Sequence, residues 1–209
     1  MRVKKNFRPI PTSDGDEIFR NGIFEFALKE SISFYDLRDQ TGYLRNIIIR
    51  NTDLGQWMVI LIVRDDEPDV LKKAMDFLQN QFPEITSLNY VINPKANSTI
   101  YDLDVVTWHG KTYITEQLGD LKYHIQPKSF FQTNSKQAKN LYDVVKQLAN
   151  LQGEELVYDL YCGTGSISLY LAHNAKRVIG IESVEQAILD AGENAKTNGI
   201  DNCDFVVGD

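Results

Sequence analysis

Apolar positions along this chain follow two patterns. The run QWMVILIVR (Gln56–Arg64) is almost continuously apolar, as in a strand buried on both faces. SISFYDLR and YLRNIIIR are β-rich runs, broken by Asp39-Gln40-Thr41-Gly42, which reads as a hairpin connection. After the solvated run Asp65–Asp69 the spacing changes to that of a helix. Val70, Leu71, Ala74, Phe77, Leu78 and Phe82 share one face, and Pro68 suits the first turn. Ile85–Asn93 is a further strand, so strand, helix and strand form a small α+β unit. The stretches IYDLDVVTW, TYITEQL and LKYHI predict short strands, with a turn at His109-Gly110 between the first two. Pro9–Glu17 has no periodicity and reads as a loop or ragged end.

The second half changes character. Asn134 can cap a helix running to about Leu151, with Ala138, Leu141, Tyr142, Val145, Leu148 and Ala149 as its stripe and Gly153 ending it. Then follow LVYDLY, a glycine turn, SISLYLAHNA, RVIGIES, VEQAILDAGENAKTNG and CDFVVGD, with Gly199 placed as a helix-terminating glycine. This βαβαβ order is the opening half of a doubly wound parallel sheet, so the fold class is α/β. The expected division is a loop or ragged segment over 1–19, an α+β unit over 20–126 and a nucleotide-fold unit over 127–209. Three strands leave an edge and a helix layer with little to pack on. That suggests a fragment of a longer protein, or strands supplied from elsewhere.

Composition narrows the classes. The 209 residues hold one large or two small domains, and 43% apolar with 24% charged residues is globular. There is no run of about 18 apolar residues, so no membrane span is expected, and the N-terminus has no signal-peptide core. Cys162 and Cys203 lie far apart and make no metal-ligand spacing, which points to a reduced, cytoplasmic protein without a metal. The net charge is −7. Residues 1–130 hold 16 Lys and Arg against 18 Asp and Glu, and residues 131–209 hold 6 against 11. Neither half is a generic basic nucleic-acid binder, so RNA contact would need a local patch.

The chemistry gathers at DLYCGTGS (Asp159–Ser166), where a strand hands over to a helix. Gly163 and Gly165 let the backbone approach a ligand and free N–H groups at the helix start. Glu182 ends the next strand, 17 residues after Gly165, where a carboxylate can accept both hydroxyls of a ribose. Asp209 ends the third strand and could accept from an adenine amino group. A dinucleotide G-x-G-x-x-G would need glycine at 168, and the chain has Ser168. Asp159 before the turn suits a cationic cofactor better than a pyrophosphate. Cys162 borders a helix start, but its place on the cofactor strand favours a small buried residue over a nucleophile.

DLYCGTGSISLYLA preceded by SFFQTN (Ser129–Asn134) resembles the RNA uracil-C5 methyltransferase family, which makes 5-methyluridine in transfer or ribosomal RNA. GYLRNIIIR, INPK (Ile92–Lys95) and IQPKSFFQTN support the likeness, which covers the chain from about residue 20. The resemblance implies a small central α+β domain facing RNA and an incomplete Rossmann-like methyltransferase domain that binds S-adenosylmethionine. It implies cofactor contacts from Gln132, Tyr161, Gly163, Gly165, Ser166, Glu182 and Asp209. In this family a cysteine thiolate adds to uracil C6, C5 takes the methyl group, and a glutamate removes the C5 proton. Those two residues follow a later D-P-P-R-like motif, expected beyond Asp209, so this chain is expected to bind cofactor weakly at best and not to turn over. The family often adds an oligonucleotide-binding domain and an iron–sulfur cysteine cluster, and this sequence shows neither. Arg45, Arg50, Lys95 and Lys128 are the candidates for RNA phosphates. Ribosomal RNA (23S) is favoured over transfer RNA because the central unit is sizeable, and no obligate protein partner is evident. The alternatives are a fragment of an NAD-dependent oxidoreductase and a non-catalytic RNA-binding module.

Overall fold

The computed structural model describes residues 14–208; the expectations for residues 1–13 and for Asp209 lie outside them. Helix α1 spans Asp14–Lys29. It begins inside the segment read as a loop, and Phe19, Ile23 and Ala27, four residues apart, are its buried face. SISFYDLR is not a strand. Phe34 and Asp36 make only isolated bridges, to Leu44 and Thr41, so the turn at 39–42 closes a short irregular excursion rather than a hairpin of two strands. Its exposed Phe34 and Leu37 have no partner sheet to make a longer ladder worthwhile.

Strands β1 (Leu44–Asn51) and β2 (Trp57–Val63) pair antiparallel, helix α2 (Pro68–Gln81) follows, and β3 (Ile85–Ile92) returns parallel to β2. Pro68 opens α2, and Leu71, Ala74, Met75 and Leu78 are its buried residues. Strand β4 (Val106–Gly110) completes the sheet in the order β1-β2-β3-β4. His109 and Gly110, expected as a turn, instead pair with Leu88 and Ser87 of β3. Strand β2 explains its own unbroken apolar run. Val59, Leu61 and Val63 pack with α1 and α2, while Met58, Ile60 and Ile62 enter a second core on the other face. Burying each such side chain contributes roughly 1.5–3 kcal/mol.

That second core is shared. Strands β5 (Ile114–Leu118) and β6 (Leu121–Ile125) form a separate hairpin. Ile114, Leu118 and Tyr123 pack with Leu169, Ala195 and Ile200 from the C-terminal half. The hairpin is therefore the joint between the two halves. Helix α3 (Ser135–Ala149) starts at the expected cap, the Asn134 carbonyl oxygen of the side chain accepting from the Gln137 N–H at 3.0 Å. It ends earlier than expected, on Asn150 in the left-handed conformation (φ 46°) rather than at Gly153. Its stripe is only partly used. Ala138 and Tyr142 are buried, but Leu141 and Leu148 are exposed, because only one edge of α3 meets the hairpin and the next helix.

The remaining elements are β7 (Leu156–Leu160), α4 (Ser166–Ala172), β8 (Arg177–Glu182), α5 (Glu185–Thr197) and β9 (Cys203–Val207). The strands form a parallel sheet in the order β7-β8-β9, as the βαβαβ pattern required. Helices cover one face only. On the other, Leu156, Tyr158, Leu160 and Val206 stay exposed. Gly199 (φ 64°) terminates α5 just after its cap Asn198. Among the described residues no helix is long and apolar enough to cross a membrane.

Candidate functional site

The site lies at the carboxyl ends of β7 and β8, and backbone geometry builds it. The Cys162 N–H donates to the Ile181 carbonyl at 3.0 Å, so the chain still bonds to β8 two residues past the end of β7 before it turns. Tyr161 takes a left-handed φ of 64° and leaves its side chain 82% exposed. A non-glycine residue held there is strained, and such strain clusters at ligand sites. Gly165 (φ 75°) caps α4, and a Cβ on it would come within 2.8 Å of the Phe205 ring and 3.0 Å of Ala191 Cβ. Only glycine lets the turn sit this close to β9 and α5. A Cβ on Gly163 (φ 55°) would meet nothing within 4 Å, so that side of the turn is open.

Glu182 faces the turn. One carboxylate oxygen accepts from the Gly163 N–H at 3.2 Å, and the other from the Val184 N–H at 3.0 Å and the Ser183 hydroxyl at 3.2 Å. The Val184 bond, then that of Gly163, holds its pKa below the ordinary glutamate value. The carboxylate is thus charged and oriented, yet half exposed. Asp159 turns the other way. It accepts from the buried Ser168 hydroxyl at 2.6 Å, and burial raises its pKa. The position where a dinucleotide motif would have its third glycine is therefore filled by a serine bonded to the strand-end acid. Burial pushes the Cys162 thiol up to about 12, with Asp159 and Glu182 adding to the rise, and the Cys203 thiol up to about 11.

Gln132 lies exposed in the loop between β6 and α3. That loop is fastened at both ends by buried acids. The Ser129 hydroxyl donates to Asp190 of α5, and the Ser135 hydroxyl donates to Glu116 of β5 at 2.6 Å. Glu116 also accepts from the Asp53 N–H at 3.1 Å, which ties in the β1–β2 turn. Phe131 anchors the middle, buried with its ring 5.5 Å from that of Tyr123. Ser166, the first residue of α4, shares a 2.9 Å hydroxyl contact with Tyr142 of α3. The structure thus joins Gly163 to Glu182 directly and links the Gln132 loop to α5 and, through α3, to Ser166. Asp209 lies outside the described residues.

The four basic candidates are bonded within the chain. Arg45 donates to the carbonyls of Asn93, Lys95 and Asn97 and stacks 4.0 Å over the Tyr35 ring. Arg50 donates to the Gln126 carbonyl at 3.0 Å, and burial lowers its pKa. Lys95 pairs with Asp102, and Lys128 donates to the Tyr101 carbonyl at 3.1 Å. Each holds a loop. Among the described residues no cluster of three or more His, Cys, Asp or Glu side chains could hold a metal.

Comparison with known proteins decides the family. The sequence profile described as tRNA (Uracil-5-)-methyltransferase matches residues 51–207. The chain belongs to this family. Among its relatives is an uncharacterised RNA methyltransferase of Bacteroides thetaiotaomicron, 48% identical over 193 residues, which are 91% of this chain and 42% of that protein. Another from Porphyromonas gingivalis is 46% identical, covering 93% of this chain and 42% of the relative. The chain therefore spans about two fifths of the curated relatives it matches. The fold is similar to the crystal structure of Pyrococcus abyssi tRNA (uracil-54, C5)-methyltransferase in complex with S-adenosyl-L-homocysteine. The TM-score is 0.79 at 29% identity, over 99% of this chain and 51% of that one. The Rossmann-like α/β class expected for this family is what the strand order shows.

Sequence reading of this family member missed Asp190, Glu116, Tyr123 and Tyr142. Each acts on a residue far away in the chain. The available signal was a polar or hydroxyl-bearing residue at a position whose helical or strand phase puts it inside.

Proposed function

We propose that this chain is the cofactor-binding part of an enzyme that methylates C5 of uridine in RNA, with S-adenosylmethionine as methyl donor. The observation that carries the reading is Glu182, ionised and held against the Gly163 N–H at the mouth of a glycine turn, in a member of this family. The residues present fit such a cofactor. The open side of Gly163 leaves room for a ligand, and an ionised carboxylate ending the second strand supports a reading in which Glu182 accepts from the ribose. Glu182, with Asp209 as the second acid the sequence offers, and the filled position at Ser168 favour a nucleoside with a cationic tail over a pyrophosphate. Gln132, Tyr161, Gly165 and Ser166 complete the proposed contacts, by their match to the family motif. When bound, S-adenosylmethionine supplies an electrophilic methyl group on a sulfonium.

The chain's own cysteines do not suit the uridine addition. With thiols raised to about 12 and about 11, Cys162 and Cys203 hold almost no thiolate at neutral pH. We assign the attacking thiol to neither. The two unpaired cysteines support a reduced, cytoplasmic setting. The test is tritium release from RNA carrying C5-labelled uridine, with the intact protein and S-adenosylmethionine. Transfer RNA and 23S ribosomal RNA transcripts serve as separate arms, the ribosomal arm being the one favoured by the size of the central unit. Release in either arm is expected, and release in neither contradicts the proposal.

A further inference from the structure

Two tyrosine hydroxyls converge on Ser166. Tyr142, from the middle of α3, lies 2.9 Å from the Ser166 hydroxyl, and Tyr123, from β6, donates to the Ser166 carbonyl at 3.1 Å. Both tyrosines are buried, at 3% and 0% exposure, while Ser166 is half exposed. Neighbours fix the Tyr142 ring. It packs 5.5 Å from that of Tyr170, whose hydroxyl donates to Asp143 at 2.6 Å, and Asp143 in turn pairs with Lys139. The first turn of α4 is therefore held from two sides, by elements of different origin.

A serine hydroxyl has one proton and two lone pairs, and its rotor is free unless a neighbour sets it. We propose that Tyr142 is a positioning residue for the cofactor: it donates to the Ser166 oxygen, and so directs the Ser166 proton outward to an acceptor on the bound nucleoside methyl donor. Burial raises the pKa of Tyr142, so the phenol keeps the proton this arrangement needs. Asp159 is the acid that adds to this rise, and its carboxylate is committed to Ser168, which leaves the Tyr142–Ser166 bond uncontested. The same bond makes α3, which begins three residues after Gln132, report its position to the glycine turn. The loop that presents Gln132 and the turn that presents Ser166 are thus set as one unit.

This rests on the cofactor reading above, and one experiment separates the two. Calorimetric titration of S-adenosylhomocysteine into the intact protein is compared for wild type, Tyr142→Phe, Ser166→Ala and the double variant. Each single change is expected to weaken binding by about 5- to 10-fold, the loss of one oriented hydrogen bond. The double variant is expected to lose no more than either single one, because both remove the same relay. A structural role for Tyr142 alone would make the two losses multiply. Multiplying losses, or wild-type affinity in Tyr142→Phe or in Ser166→Ala, overturn the inference. Since Ser166→Ala leaves the buried ring in place, wild-type affinity in that variant overturns the inference even where the tyrosine variant folds poorly. A wild-type protein that does not bind S-adenosylhomocysteine overturns the cofactor reading and this inference with it.

Discussion

Two effects compete at the Cys162 thiol. A helix start favours thiolate, but α4 is only seven residues long, and burial beside Asp159 and Glu182 favours the thiol. Burial wins, since the pKa rises to about 12 from an ordinary 9.0. At pH 8 about one thiol in ten thousand is then thiolate, against roughly one in ten for an unperturbed group. Alkylation of Cys162 by iodoacetamide at pH 8 should run at least about 100-fold slower than that of a free cysteine. A comparable rate contradicts the account. Glu182 goes the opposite way. Its folded pKa is depressed, so its favourable contribution is in place above the ordinary 4.5 and is lost as pH falls through the lower folded value. Carbon NMR titration of this carboxylate should give a midpoint below 4.5, and a midpoint at or above 4.5 refutes the hydrogen-bond pattern. That the glycine turn and Glu182 would meet at one end of a parallel sheet was legible in the sequence, but the bond from the Gly163 N–H to Glu182 was not. Nor were the bonds of Arg45 and Arg50, because their carbonyl partners lie 48 to 77 residues away and carry no side-chain signature.

At the scale of elements, the longest periodic signals read most reliably. Helix α2, the buried β2 and the βαβαβ order all follow from apolar spacing and turn residues. Helix α1 was missed although Phe19, Ile23 and Ala27 mark its face, because Gly15 and the acids at its start suggested a loop. SISFYDLR failed for a different reason. Strand-forming residues make a strand only where a neighbour supplies a ladder, and here none does beyond single bridges. In α3 the cap was legible and the burial was not, since the stripe cannot say which of its residues will find a partner. The cap carries its own test. Asn134→Ala removes the bond to the Gln137 N–H and should cost about 1 kcal/mol in denaturant unfolding, without a change in slope. No loss would show that α3 is held entirely by Ser135, Tyr142 and their partners.

At the scale of the molecule, the β5–β6 hairpin makes one body of two units. Tyr123 reaches Ser166, the His124 N–H donates to Asn194 at 2.7 Å, and Asn198 exchanges two bonds with the Lys122 backbone. A surface proposed to face RNA is thereby joined to the glycine turn through packed and hydrogen-bonded contacts. The central claim is that this glycine turn serves a nucleoside methyl donor and not a dinucleotide. Its most direct test is calorimetric titration of the intact protein with S-adenosylhomocysteine and, separately, with NAD. Saturable one-to-one binding of S-adenosylhomocysteine, with only dilution heat from NAD, is the predicted result. Tight NAD binding without S-adenosylhomocysteine binding would contradict it.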